Sequence, residues 1–204
     1  FLAMAVTVLP GLWMTASGGM LLTSQGILPL LERSLLRNAE LILLLLFVLQ
    51  PFLILLANAL NHPLEKGIDR YYINDAARIL REMPKLKIIG VTGSYGKTSV
   101  KYYLSALLST QYNVLHTPGN YNTTLGVVRT IRENMKPFHE IFICEMGARE
   151  VGDIKEICDL VHPDYGIITS IGPQHLQSFH TIENIVSTKF ELVDAVPPSG
   201  KVFL

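Results

Sequence analysis

Four groups of side chains between residues 93 and 189 have types and spacing that could do chemistry. Gly93, Ser94, Tyr95, Gly96, Lys97, Thr98 and Ser99 join two glycines, a lysine and hydroxyls in one short stretch. The stretch TPGNYNT carries Asn120, Asn122 and Thr123. Glu145 ends the apolar run Ile141–Cys144, and IGPQHL places His175 ahead of Lys189 in VSTKFELVDAV. A glycine turn between a strand and a helix points several backbone N–H groups at one spot. The helix N-terminus adds partial positive charge there, so such a turn suits phosphate. Lys97 would reach the β- and γ-phosphates of a nucleotide, and the Thr98 hydroxyl would bind magnesium. The strict pattern Gly-x-x-x-x-Gly-Lys-Ser/Thr needs glycine at position 91, where the chain has Val91; its glycines fall at 90, 93 and 96. From these residues alone a glycine-rich turn with a stray lysine stays open. An acid at the end of a buried strand is placed to hold nucleotide-bound magnesium, although many strand-end acids are simply solvated. Taken singly, His175 reads as structural and Lys189 as a surface charge.

The elements that must position these groups alternate. Ile88–Thr92 reads as a buried strand and Thr98–Leu108 as a helix. Asn113–His116 follows as a strand, Thr117–Asn122 as a loop and Thr124–Met135 as a helix. Glu140–Glu145 is a strand and Val151–Val161 a helix. Tyr165–Ile171 is a strand, Gly172–His180 a loop, and Thr181–Val196 a helix ending at Pro197-Pro198. Strands and helices in this order predict an α/β fold: a phosphate-loop, mostly parallel sheet with helices on both faces. Each reactive group follows the carboxyl end of a strand, the rim where open α/β sheets bind ligands.

Charge separates the two ends of the chain. There are 17 basic and 17 acidic side chains, so no net charge argues for a nucleic-acid partner. Residues 1–60 hold only Glu32, Arg33, Arg37 and Glu40. Leu41–Leu60 is an uncharged run long enough to cross the ~30 Å hydrocarbon core of a bilayer; Pro51 lies within it. Residues 1–22 are also uncharged and read as a second spanning helix. Lys66, Arg70, Arg78 and Arg81 follow the second run, which places its carboxyl side in the cytoplasm, where nucleotide is available. The expected organisation is transmembrane helices over 1–60, an amphipathic neck over 61–86, and a nucleotide-binding domain over 87–204. In the neck, Ile68, Tyr71, Tyr72, Ala76, Ile79 and Leu80 fall near helical spacing. Cys144 and Cys158, both in apolar surroundings, read as buried thiols rather than a disulfide. With Phe1 first and Leu204 inside a strand-like stretch, a fragment is expected at both ends.

Together TGSYGKTSVK, GNYNTTLG, CEMGAREVGDI and IGPQHL followed by Lys189 and Glu191 resemble the Mur ligase family over residues 88–196. Within the family they are most similar to the members that add D-alanyl-D-alanine. The resemblance implies the family's own variant of the phosphate loop, which accounts for Val91. It implies an ATP-binding central domain, cut short here and without the C-terminal domain. The implied activity is ATP-dependent joining of a carboxylate to an amine through an acyl phosphate, in peptidoglycan precursor synthesis. The implied substrates are a UDP- or lipid-linked muramoyl-peptide and D-alanyl-D-alanine. By the same resemblance, Gly93–Ser99 bind ATP, and Lys97, His175 and Lys189 are catalytic. Thr98, Glu145, His175 and a carbamylated Lys189 serve the Mg2+ sites; Asn120, Asn122 and Thr123 face the precursor. Gln177 and His180 depart from the family's usual glutamate and glycine, and a membrane segment replaces its usual first domain. The anchor adds two expectations: membrane lipid as a partner, and location at a bacterial plasma membrane with the soluble part on the cytoplasmic face. A membrane-anchored ATPase for assembly or transport, or a ligase extending another polymer such as polyglutamate, would also use Lys97 and Glu145.

Overall fold

The computed structural model describes residues 28–204, which divide after Pro63 into two units. The spanning helix expected over residues 1–22 lies outside the described residues. The run Leu41–Leu60 is part of one helix, α1 (Leu28–Arg81), which continues through Pro51 and Pro63 into the neck. Among the described residues this is the one helix long and apolar enough to cross a membrane, and its side chains from Leu41 to Leu60 are exposed.

The second unit is built on a five-stranded, all-parallel sheet of order β2-β3-β1-β4-β5. The strands are β1 (Lys87–Thr92), β2 (Val114–His116), β3 (Ile141–Glu145), β4 (Tyr165–Ile168) and β5 (Lys201–Phe203). The helices between them are α2 (Lys97–Leu108), α3 (Thr124–Asn134), α4 (Asp153–Val161), the short α5 (Leu176–Phe179) and α6 (Ile182–Ala195).

Period-2 alternation divides the strand residues between two apolar layers. Ile88, Phe142 and Cys144 face a large core with α3, α4 and α6. Val91, Ile141 and Ile143 face a smaller one closed by Val100, Leu104 and Leu108 of α2. Helices therefore cover both faces, as the alternation predicts. In the neck, Ala76 is buried, and Ile73, Ala77, Ile79 and Leu80 pack beside it on the larger core. Asp75 fastens the same stretch to α3 by accepting from Arg132 Nε at 2.8 Å. Ile68 and Tyr71, read as part of that apolar face, stay exposed.

Two segments differ from expectation. The strand expected over Tyr165–Ile171 stops at Ile168, because Thr169 and Ser170 turn their polar groups onto the glycine loop after β1. The stretch expected as a loop, Gly172–His180, contains α5, bounded by His175 and His180 at positive φ (56° and 63°).

A glycine pair explains how closely α6 approaches the sheet. Gly90 of β1 and Gly166 of β4 are register partners. A Cβ on Gly90 would lie 2.6 Å from Leu192 Cδ1, and one on Gly166 would lie 3.2 Å from Leu192 Cγ. Leu192 of α6 fills the space that two side chains would otherwise occupy.

Candidate active site

The loop between β1 and α2 turns through Gly93 (φ 144°) and Gly96 (φ 79°), backbone conformations that favour glycine. Gly96 is also the residue ahead of α2, and no side chain caps that helix. Its first N–H groups are left for a ligand, which is the geometry of an anion site. The loop is held from β4: Ser94 N donates to Ser170 O at 2.7 Å, and Tyr95 N donates to Ser170 Oγ at 3.1 Å. Ser94 Oγ donates to Gly172 O at 2.9 Å, and Gly172 N lies 3.0 Å from the same hydroxyl. Thr169 Oγ1 contacts the Tyr95 carbonyl. These polar residues beyond β4, read as strand in the sequence, form the rear wall of the loop.

Lys97 folds back over the loop and donates to Gly93 O at 2.8 Å. Burial lowers its pKa, and the negative charge of Glu145 opposes that shift. Thr98 Oγ1 lies 3.1 Å from Glu145 Oε1, so the two expected magnesium ligands do meet. Asn122 Nδ2 donates to the same oxygen at 3.3 Å. Glu145 Oε2 is buried without a hydrogen-bond partner, although Lys101 Nζ stands 2.8 Å away. An oxygen pair from Thr98 and Glu145, with lone pairs to spare on a buried carboxylate, fits a hard divalent cation. Among the described residues, however, no three His, Cys, Asp or Glu side chains gather into a metal-binding group.

Two cavities adjoin here. One, of about 330 Å³, is lined by Ser94–Ser99 with Asn120, Asn122 and Glu145. The other, of about 380 Å³, is lined by Arg149, Gln174, His175 and Lys189 among others. Lys97, Asn120 and Asn122 line both. The expected site residues thus come together on one rim, but in two compartments: Thr98 and Glu145 in the first, His175 and Lys189 in the second. Thr123 lines the second cavity while its hydroxyl caps α3, accepting from Gly126 N at 3.3 Å.

Lys189 is not a surface charge. It is 3% exposed, and burial, reinforced by the Lys97 ammonium, pushes its pKa down to about 8. Glu191, two residues on, accepts from Gly152 N and Lys155 N, each at 2.8 Å, and so closes the N-terminus of α4. Cys144 and Cys158 are buried and unpaired by disulfide; burial holds both thiols protonated, with Cys158 raised to about 12.

Lys101 is the residue the sequence reading passed over. It sits one turn after Lys97 on α2 and is wholly buried, with its ammonium between Glu145 and the Gly119 carbonyl. The signal was the i, i+4 spacing from Lys97, which sends both lysines to one face of the helix.

A model of the Mur ligase middle domain matches residues 91–204, more than half of the chain. The chain belongs to the Mur ligase family. The chain is 35% identical over 135 residues to UDP-N-acetylmuramoyl-tripeptide–D-alanyl-D-alanine ligase of Bacillus subtilis, a match covering 63% of this chain and 29% of that protein. The protein of the same name from Mycobacterium bovis is 40% identical over 123 residues, covering 58% and 23% respectively. Among solved structures, the Thermotoga maritima MurF ligase in complex with ADP superposes with TM-score 0.62 at 34% identity, covering 66% of this chain and 31% of that one. The chain therefore spans less than a third of the length of the relatives it matches.

Proposed function

We propose that the protein is an ATP-dependent, ADP-forming carboxylate–amine ligase that adds D-alanyl-D-alanine to a muramoyl-tripeptide in peptidoglycan precursor synthesis. The observation that carries this reading is the pair of adjoining cavities with Lys97, Asn120 and Asn122 in their common wall. A triphosphate in the loop cavity would have its terminal phosphoryl group at Lys97, facing the compartment of His175 and Lys189. The names of the relatives, and the ADP in the Thermotoga structure, support the choice of substrates.

In this reading an acceptor carboxylate oxygen attacks the γ-phosphorus. The bond from that phosphorus to the β,γ-bridging oxygen breaks, and ADP departs. The amine of D-alanyl-D-alanine then attacks the acyl carbon and loses a proton, and the carbon–oxygen bond breaks to release phosphate. The loop's backbone N–H groups and the Lys97 ammonium stabilise charge on the transferring group. Thr98 and Glu145 would hold Mg2+, which supplies charge neutralisation on the phosphates. Asn120 and Asn122 orient the acceptor from the shared wall. The lowered pKa of Lys189 provides the neutral amine that carbamylation requires. His175 lies in the same cavity and would contribute to a second metal position.

The exposed apolar stretch of α1 favours a membrane-bound protein, with lipid around Leu41–Leu60 and the α/β unit on the cytoplasmic side. It also favours a second reading of the acceptor, in which the muramoyl-peptide is lipid-linked rather than UDP-linked. The test is ATP turnover by the full-length protein in membranes, with each substrate omitted in turn and the acceptor offered in both forms. Phosphate release that requires both acceptor and D-alanyl-D-alanine is expected. Turnover indifferent to both would instead mark a plain ATPase. Preference for the soluble UDP-linked form would dismiss the lipid-linked reading.

A further inference from the structure

Lys101 is a fully buried cation with no part in the chemistry above. Its ammonium donates to Gly119 O at 2.7 Å, stands 2.8 Å from Glu145 Oε2, and lies 4.8 Å from the Tyr102 ring centre. Both charged side chains are essentially withdrawn from water. A buried ion pair is a poor source of stability, because desolvation cancels most of the attraction and apolar groups of similar volume do as well. Stability therefore does not explain the pair. Its geometry offers another account. One partner, Glu145, ends β3 and carries the carboxylate that faces Thr98. The other, Gly119, lies in the turn bearing Asn120 and Asn122 and adopts φ 50°, a left-handed conformation. Glu145 lines the loop cavity, and Asn120 and Asn122 line both cavities.

We infer that Lys101 is a positioning residue that sets the metal-side carboxylate and the acceptor loop in one frame. It engages Glu145 Oε2, so that Oε1 is the oxygen turned to Thr98 and to a magnesium–nucleotide. Through Gly119 O it fixes the height of Asn120 and Asn122 over the same point. The inference rests on Glu145 being a magnesium ligand, as proposed above, and adds a residue that never touches the reacting atoms.

The test is a magnesium titration of ADP binding to the full-length protein, with wild type, Lys101→Met, Glu145→Gln and the double variant. If Lys101 acts through Glu145, Lys101→Met shifts the half-saturating magnesium concentration by about tenfold, and the shift vanishes in the Glu145→Gln background. A purely structural lysine would lower the melting temperature and leave the magnesium midpoint of the folded fraction in place. That result, or equal shifts in both backgrounds, would overturn the inference. Should Lys101→Met fail to fold, Lys101→Arg, which keeps the charge but not the geometry of a single ammonium, takes its place in the same cycle: a shifted midpoint that vanishes in the Glu145→Gln background sustains the inference, and an unshifted one ends it. Magnesium-independent binding by the wild type would instead remove Glu145 as a ligand and overturn both readings together.

Discussion

Lys97 and Lys189 line one cavity, yet neither forms an ion pair with a carboxylate among the described residues. The Lys97 ammonium is held by loop carbonyls, and Lys189 is deprived of water with a second cation beside it. Such an arrangement favours whatever brings negative charge between them.

The pH dependence of stability follows with a definite sign. The Lys189 pKa falls from 10.5 to about 8 on folding. Between those values the unfolded chain binds more protons than the folded one, so this group makes stability rise with pH; below about 8 its burial penalty is fully felt. In carbon-dioxide-free buffer, the stability of wild type relative to Lys189→Met should increase as pH is raised through that window. Denaturant titrations at several pH values would show it, and a difference that stays level would contradict the assigned burial.

Lys189→Ala should reduce turnover by about a hundredfold or more if a carbamate at this position orders the metal site. Acetate or formate should restore part of the loss by supplying a carboxylate in the vacated space. Initial rates with and without added acid measure this; near-normal activity in the unsupplemented variant would exclude a carbamate role.

Gly93→Ala tests the loop wall. Its φ of 144° strains any side chain, and the new Cβ would collide with Thr169 Oγ1 and meet Ser170 backbone atoms at 3.0 Å. A loss of about 1–3 kcal/mol in folding stability is expected, with nucleotide affinity falling further because the N–H groups are displaced. Thermal unfolding and nucleotide titration separate the two effects.

Asp164 closes the opposite end of the sheet. Its Oδ2 accepts from Ile88 N at 2.9 Å while Oδ1 pairs with Lys87 at 2.8 Å. Asp164→Ala should cost about 1–2 kcal/mol, chiefly by leaving a partly buried N–H unpaired, without altering nucleotide affinity. Changed affinity would mean that the two poles of the sheet are coupled.

For the membrane proposal, the full-length protein should stay in the pellet after alkaline carbonate extraction. Replacing Leu49, Phe52 and Leu53 by lysine should release it, since each charge at a bilayer centre opposes insertion by about 3 kcal/mol. Release of the unaltered protein would argue against a spanning α1.

The parallel sheet was legible because Ile88–Thr92 and Ile141–Glu145 are nearly continuous apolar runs and each is followed by glycine or acid. The two strand-end clusters at Gly93 and Glu145 were legible for the same reason. Other parts were hidden by the locality of sequence patterns. Thr169 and Ser170 favour extended structure by type, but their hydroxyls are drawn to a loop more than seventy residues earlier. Lys101 stands between Val100 and Tyr102 with no local partner for its charge; the convergence of Gly119 and Glu145, distant in sequence, makes a place for it inside. The join between neck and apolar run was equally invisible, since Pro63 suggests a helix boundary that α1 does not observe.

The paired Gly90 and Gly166 have a further consequence. Leu192 rests on them, and Lys189 stands one helical turn earlier on α6. The sheet floor thus works as a depth stop for the Lys189 amine, calibrated by two missing side chains. One methyl group added at Gly90 would press on the ends of the Leu192 and Met146 side chains, and Lys189 would withdraw from the cavity to the extent that Leu192 passes that pressure to its helix.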